Sequence, residues 1–213
     1  MAKASAKSQI FGIKKTNKKT SQKSNKKTLV SPSSKGMKMK KVAPKKTANS
    51  PILKDDSDKL LGKRVAPLSA LNSKGERMDL FSGDKMWTVL FFYPKDDTPG
   101  CTIENKDFSS LKNEFKKSGV LVFGVSKDSV SSHNKFLCKF NFTHELISDE
   151  SGALCDQFDV IKEKNMYGKK YLGIERSTFI LNPQGEIVET FRKVKVEGHA
   201  QAVLTRVRKL KSS

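Results

Sequence analysis

A hydrophobic run long enough to cross a membrane is missing from this chain of 213 residues. A bilayer-spanning helix needs about 20 consecutive apolar residues, and no stretch of the sequence approaches that length. The amino terminus also lacks the apolar core of a secretory signal peptide. We therefore expect a soluble, intracellular protein with no membrane partner.

Cysteine is scarce as well, at three residues, Cys101, Cys138 and Cys155. An odd number of cysteines without a regular spacing does not fit the disulfide framework of a small secreted domain. The three histidines have no cysteine or carboxylate at the spacing of a zinc site. These absences favour a reducing compartment, a working thiol and no bound metal.

Acidic residues are absent from residues 1–50, which hold fifteen lysines and no arginine. The net charge of the whole chain is +20, so residues 51–213 together carry only +5. Lysine, serine, threonine and asparagine dominate the first segment, and such a composition cannot bury enough apolar surface to offset the entropy lost on ordering. We predict a disordered lysine-rich tail over residues 1–54 and one folded domain over residues 55–213.

Two short lysine clusters in this tail are typical of nuclear-import signals and of patches that contact nucleic acid. An organelle transit peptide is a competing interpretation, but transit peptides tend to be arginine-rich and amphipathic, unlike this segment. A merely solubilising tail on a cytoplasmic protein is another. We expect nuclear targeting, with weak and salt-sensitive contact to nucleic acid. The lysines that would make this contact are Lys14, Lys15, Lys18, Lys19, Lys40, Lys41, Lys45 and Lys46.

The strongest local pattern lies between residues 87 and 101. Trp87-Thr88-Val89-Leu90-Phe91-Phe92-Tyr93 is β-branched and aromatic, which predicts a buried strand that Pro94, Pro99 and Gly100 then end. Beyond Cys101, apolar residues recur at helical spacing, at Ile103, Phe108, Leu111 and Phe115. Cys101 would then lie in the first turn of a helix, where unpaired N–H groups and the helix dipole favour an anion. Such a cysteine is placed to act as a nucleophile, and the alternative is a small buried apolar residue.

Strands alternate with helices along the rest of the chain, which predicts an α/β core with parallel pairing. In one of these helices, over residues 129–140, one side would carry Val130, Asn134, Leu137 and Phe140. The predicted elements are a hairpin of residues 65–71 and 77–80, a buried strand Val120–Ser126, a helix Ser129–Phe140, an antiparallel hairpin of Ser177–Leu181 with Glu186–Phe191, and a closing helix Ala200–Leu210.

The string PKDDTPGC, from Pro94 to Cys101, resembles the active-site motif of the peroxiredoxins. Its flanks, FFYPKDDTPGCT, are similar in particular to the PrxQ or bacterioferritin-comigratory-protein subfamily. The similarity continues in order through residues 146–149, 155–158 and 176–181, and it covers roughly residues 60–210. This resemblance implies a thioredoxin-like α/β fold, with a mixed central sheet flanked by helices, behind a basic extension of nuclear type.

The resemblance also implies a chemistry, the reduction of hydrogen peroxide and organic hydroperoxides. In the family, the cysteine that matches Cys101 attacks the O–O bond and becomes a sulfenic acid. Thr98 matches the threonine that hydrogen-bonds the peroxide and the thiolate, Pro94 the proline that shields the pocket, and Arg176 the arginine that stabilises the developing charge. Thioredoxin would supply the electrons, so no metal, haem or flavin is implied, and such proteins are commonly monomers.

The sulfenic acid must then be resolved by another thiol. Many PrxQ proteins carry the resolving cysteine five residues after the reactive one, where this chain has Lys106. Others carry it in the next helix, where Cys138 is the candidate, although its register is one residue off. A disulfide needs Cα atoms within about 7 Å, and one residue turns a helix by about 100°, so Cys101 and Cys138 would meet through local unwinding. Cys155 matches a position without a catalytic role, and we expect it to be buried.

Two alternatives remain at this point. The chain could be a one-cysteine peroxidase whose sulfenic acid is reduced by an external thiol, in which case Cys138 has no role. It could instead be a chromatin-associated protein whose thiol reports oxidative state with little turnover.

Overall fold

The computed structural model describes residues 58–81, 86–166 and 168–212. The predicted tail, residues 1–54, lies outside them, as do the first residues of the predicted folded domain, so that boundary stays a prediction. In chain order the elements are β1 (Leu68–Asn72), β2 (Arg77–Leu80), β3 (Trp87–Phe92), α1 (Pro99–Lys117), β4 (Val120–Ser126), α2 (Val130–Phe140), β5 (Glu145–Ser148), α3 (Ala153–Gln157), β6 (Ile161–Met166), β7 (Lys169–Ile174), β8 (Ser177–Leu181), β9 (Ile187–Phe191) and α4 (His199–Lys211).

A seven-stranded mixed sheet runs through the domain in the order β2-β1-β5-β4-β3-β8-β9. The strand β4 pairs in parallel with both β3 and β5, whereas β3 with β8, β8 with β9 and β1 with its two neighbours are antiparallel. The strands β6 and β7 form a separate antiparallel hairpin. The predicted α/β architecture with a mixed central sheet is confirmed.

The central strand β3 supplies side chains to both faces of the sheet. Val89 and Phe91 belong to one hydrophobic cluster, and Leu90 and Phe92 belong to the other, as the alternation of a pleated strand requires. All four side chains are fully buried. Burial of a side chain of this size contributes about 1.5–3 kcal/mol, so this strand is a major source of stability.

Helices cover both faces of the sheet. Phe108 of α1, Phe136 of α2 and Val203 of α4 belong to the cluster that contains Phe91. The short helix α3 packs in the other cluster through Leu154 and Cys155. The amphipathic pattern of α1 therefore positions its first turn at the end of β3, against the sheet.

A glycine in β4 leaves room for two side chains of the first cluster, Phe91 and Leu146. A Cβ atom at Gly124 would lie 2.6 Å from the ring of Phe91 and 2.7 Å from Leu146. The ring of Phe91 in turn stacks on Phe108, with 4.1 Å between the centroids. The packing of Phe91 and Leu146 therefore requires a residue without a side chain at position 124.

The two predicted hairpins and the closing helix are confirmed, with one correction. The first strand begins at Leu68 rather than at Val65. Pro67 has no N–H group to donate to a strand ladder, so regular pairing starts after it.

The predicted inner faces of two helices need correction as well. In α2, Asn134 is exposed, whereas His133 and Phe136 are buried. In α1, Ile103 is 53% exposed, and the next residue, Glu104, is buried in its place. The burial of His133 and Glu104 is explained by their hydrogen-bond partners on other elements, Asp96 and Arg176.

Candidate active site

The segment that leads from β3 into the first turn of α1 carries the predicted nucleophile. Thr98 is extended and precedes the helix, and Pro99 is the first helical residue, where its missing N–H group leaves no hydrogen bond unmade. Cys101 is therefore the third residue of α1, and it is buried. Its predicted position in the first helical turn, where backbone N–H groups lack intrahelical partners, is confirmed.

The start of β8 brings Arg176 to this helix. Ser177 pairs with Phe92 across the antiparallel ladder of β3 and β8, so Arg176 lies at the end of the sheet where β3 leads into α1. Its Nη2 donates to Cys101 Sγ at 3.3 Å. A fixed cation at this distance stabilises negative charge on the sulfur.

A buried acid, Glu104, holds the other side of the Arg176 guanidinium. Its Oε2 accepts a hydrogen bond from Arg176 Nη1. Burial raises the pKa of Glu104 to about 7, and the charge of Arg176 opposes this rise. Burial also acts to lower the pKa of Arg176, but Glu104 and Cys101 outweigh it and raise that pKa, so the guanidinium stays charged.

Sequence reasoning missed Glu104. The signal was present, because a residue three positions after Cys101 lies on the same side of a helix. Glutamate is rarely buried unless it is paired, however, and this one, in the second turn of α1, is only 1% exposed. The structure shows it as the residue that orients Arg176.

The two remaining predicted residues lie on the loop itself. Pro94 is exposed, directly after the end of β3. Thr98 is half-buried, and its hydroxyl donates to the carbonyl of Lys95 at 3.1 Å. Because that bond uses the only proton of the hydroxyl, the Thr98 oxygen can act toward a further group only as an acceptor.

A buried polar network fixes the loop. Tyr93 donates through its hydroxyl to Asp96 Oδ1 at 2.7 Å, and His133 Nδ1 lies 2.9 Å from Asp96 Oδ2. Burial acts to raise the pKa of Asp96, but the hydrogen bond and charge of His133 outweigh it and hold that pKa below its ordinary value. The backbone N–H of Asp96 also donates to Asp128 at 2.8 Å. The loop is therefore tied to α2 and to the end of β4.

The other two cysteines differ sharply in environment. Cys155 is buried in α3, and burial together with Asp149 raises the pKa of its thiol, so the expected structural role fits. Cys138 is exposed near the end of α2. Its neighbour Lys139 pairs with Asp97 at 2.6 Å, which joins this end of α2 to the loop before Cys101. All three cysteines are free thiols.

Within the described ranges, no group of three or more histidine, cysteine or acidic side chains is arranged to hold a metal ion. The helices of that part of the chain are also too short or too polar to span a bilayer. The site thus consists of a buried thiol, an arginine that contacts it and an acid that orients the arginine.

Comparison with known proteins relates the chain to an established family. The family model described as AhpC/TSA family matches residues 61–190. The chain is similar to peroxiredoxin Bcp of Xanthomonas campestris, with 56% identity over 138 residues, or 65% of this chain and 85% of the relative. It is also similar to peroxiredoxin Bcp of Bacillus subtilis, with 40% identity over 144 residues, or 68% of this chain and 92% of the relative.

Solved structures agree with the sequence relatives. A structure of Xanthomonas campestris peroxiredoxin Q has a TM-score of 0.64 and 54% identity, and covers 67% of this chain and 90% of that one. A ligand complex of the Xanthomonas campestris bacterioferritin comigratory protein, described for its alkyl peroxide reduction activity, has a TM-score of 0.64 and 52% identity, over 68% of this chain and 92% of that one.

Proposed function

The chain belongs to the AhpC/TSA family, in which it is a peroxiredoxin of the Bcp or PrxQ type and a thiol peroxidase, and from this premise we propose that Cys101 is its peroxidatic cysteine. The observation that carries the proposal is the 3.3 Å contact from Arg176 to Cys101 Sγ in a buried helical turn. A thiolate in this setting attacks the distal oxygen of a hydroperoxide. The O–O bond breaks, Cys101 becomes a sulfenic acid, and the leaving oxygen takes a proton and departs as an alcohol or as water.

The residues around Cys101 stabilise charge, orient the substrate and shield the pocket. Arg176 stabilises the charge that moves from sulfur to the leaving oxygen, and Glu104 keeps the guanidinium in place. The Thr98 oxygen accepts a hydrogen bond from the peroxide and so orients the O–O bond toward sulfur. Pro94, at the rim, shields the pocket from water. The substrates are hydrogen peroxide and organic hydroperoxides, in line with the alkyl peroxide activity described for the Xanthomonas campestris protein.

Cys138 resolves the sulfenic acid in this proposal. Its thiol attacks the sulfur of Cys101, which forms a disulfide and releases the sulfenic oxygen as water. Cys101 is buried and Cys138 exposed, so the first turn of α1 and the last turn of α2 unwind locally before the two meet. The pair of Lys139 with Asp97 keeps the two segments near each other meanwhile.

Thioredoxin completes the cycle by reducing the disulfide. The net reaction converts one hydroperoxide and one dithiol into an alcohol, water and a disulfide. Every residue named in this cycle comes from one chain, so a monomer suffices, and sedimentation velocity would reveal any stable oligomer. A chromatin-bound sensor with little turnover is less well supported, because the relatives are peroxidases by name.

The mechanism is tested by the mass of the reduced protein after one equivalent of hydrogen peroxide, with free thiols then blocked. We expect a loss of two hydrogens that disappears in Cys138→Ser and persists in the matched control Cys155→Ser. Addition of one oxygen at Cys101 in the wild type would support the one-cysteine alternative, in which an external thiol resolves the sulfenic acid. An unchanged mass would contradict the role of Cys101.

We propose further that the lysine-rich segment directs the enzyme to the nucleus. The support is compositional, since fifteen lysines without a single acid occupy residues 1–50. A fluorescent fusion of the full chain should concentrate in the nucleus, and replacement of the eight clustered lysines by glutamine should abolish this. Accumulation in an organelle, or no change on replacement, would contradict the proposal.

The same lysines would give weak, sequence-independent contact with nucleic acid. Release of condensed counterions makes such binding fall steeply with salt. The full chain should therefore be retained on a DNA column at low salt and elute as salt is added, and the glutamine variant should not be retained. Retention that is indifferent to salt would contradict a phosphate contact of this kind.

A further inference from the structure

A buried amide joins the reactive turn to the segment behind α2. Asn105 is fully buried on α1, and its Nδ2 donates to the backbone carbonyl of Cys101 at 2.9 Å. Its Oδ1 lies 2.9 Å from Nε2 of His144, the residue immediately before β5. His144 is only 3% exposed. We call this contact chain the Asn105–His144 bridge.

The chemistry of the two side chains fixes the direction of these bonds. A carbonyl can only accept, so the amide nitrogen of Asn105 must face Cys101 and its oxygen must face His144. His144 therefore donates from Nε2–H. Burial, aided by the charge of Lys112, lowers the pKa of His144 to about 3, so the ring is neutral at physiological pH. The bridge is then a pair of hydrogen bonds between uncharged groups in a buried site.

The bridge joins the first turn of α1, which must open for resolution, to the segment that follows α2. The Cys101 carbonyl belongs to the first turn of α1, and that turn has to open before the buried sulfur can reach an exposed partner. His144 follows Cys138 by six residues, on the segment that joins α2 to β5. Unwinding therefore requires the carbonyl to leave Asn105.

We propose that Asn105 and His144 are positioning residues that hold Cys101 in its turn and so delay capture of the sulfenic acid by Cys138. This inference rests on the two-cysteine mechanism proposed above. While the turn stays closed, a second hydroperoxide competes with Cys138. It transfers one oxygen to the sulfenic acid, which gives a sulfinic acid and an alcohol and inactivates the enzyme. The bridge thus sets the peroxide concentration at which this peroxidase is lost.

The test measures disulfide formation in Asn105→Ala by acid quench and intact mass after one equivalent of hydrogen peroxide. Loss of one buried hydrogen bond corresponds to roughly a 3- to 10-fold change, so the disulfide should form about 3- to 10-fold faster. The peroxide concentration that converts half of the protein to sulfinic acid should rise by the same factor. A merely structural role would lower stability without moving this partition.

Two further variants make the result specific. Ser109→Ala is the matched control, because Ser109 lies one turn further along α1 and accepts from the N–H of Thr143 at 2.9 Å without touching Cys101. It should resolve at the wild-type rate. The double change Asn105→Ala with His144→Phe removes both polar partners. It also places a phenyl ring in the position of the imidazole of His144, whose centroid lies 5.6 Å from that of Phe91. This double variant should be more stable than Asn105→Ala and should still form the disulfide faster than the wild type.

The outcomes separate the two proposals. A wild-type resolution rate in Asn105→Ala, or equal acceleration in Ser109→Ala, would overturn the role of the bridge while leaving the two-cysteine mechanism intact. A wild-type protein that forms no disulfide at all would overturn the mechanism first, before any variant is compared.

Discussion

Replacing Arg176 separates a chemical role of the guanidinium from a structural one. A hydrogen bond between charged groups contributes about 1.5–3 kcal/mol, and each 1.4 kcal/mol is about tenfold in rate. Little of this is screened by solvent, because the side chain of Arg176 is 16% exposed. We therefore expect Arg176→Met to slow peroxide consumption in a single turnover by about 10- to 150-fold. Arg176→Lys should slow peroxide consumption by about 10-fold, the smaller of these losses, because one ammonium cannot hydrogen-bond Glu104 and Cys101 together.

Stability must be measured beside the rate, since Arg176→Met leaves Glu104 buried without its partner. The loss of stability should be limited, because the pKa of Glu104 is already raised to about 7 and the carboxyl can take up a proton. The double variant Arg176→Met with Glu104→Gln removes both charges. It should melt close to the wild type in a thermal unfolding experiment, yet consume peroxide as slowly as Arg176→Met in stopped flow.

Recovery of the rate in that double variant would refute the reasoning. It would mean that Arg176 supports the site through folding alone, and that the 3.3 Å contact with sulfur has no part in the chemistry.

Two further predictions concern stability. Burial lowers the pKa of His144 to about 3 and the pKa of His199 to about 4, from 6.5. Between pH 6.5 and about 4 these histidines therefore bind more protons in the unfolded chain than in the folded one. The free energy of unfolding should fall with falling pH in this window, by roughly 1.4 kcal/mol per pH unit for each histidine. The raised pKa of Glu104 acts in the opposite direction between its ordinary value and about 7. The free energy of unfolding, measured with urea, should therefore change with pH at about the slope of one histidine, and Glu104→Gln should make the slope steeper. A free energy that does not change from pH 7 to 5 would contradict this prediction. Gly124→Ala places a Cβ 2.6 Å from the ring of Phe91 and should cost about 1–3 kcal/mol in the same assay, and a neutral result would mean that the ring can move aside.

Strong periodicity explains what could be read from the sequence. The strand that ends at Phe92 and the helix that begins beside Cys101 carry long apolar patterns, and each is confirmed by the structure. The short elements gave no such signal. The strand β5 has four residues and α3 has five, too few to establish a period. Along the hairpin of β6 and β7, most of the described side chains are exposed or half-buried, so no buried face marks it in the sequence.

The site was only partly predictable for a related reason. Cys101 and Arg176 could be matched to a motif, but Glu104 and Asn105 look like ordinary polar residues of an exposed helix face. Their burial depends on partners supplied by tertiary contacts, since Arg176 is 72 positions from Glu104 and His144 is 39 positions from Asn105. No local pattern carries that information.

The pairing of β8 with β3 has a consequence for how the enzyme matures during synthesis. Cys101 and Arg176 are 75 positions apart, so a ribosome makes the thiol well before the guanidinium. Folding as a unit requires β8, which ends at Leu181, to emerge and dock beside β3. A nascent chain therefore carries the complete cysteine motif before Arg176 can contact the thiol. In the mechanism proposed above, reactivity toward peroxide therefore follows the docking of β8, and a fragment that ends before Arg176 would contain the motif but lack the guanidinium.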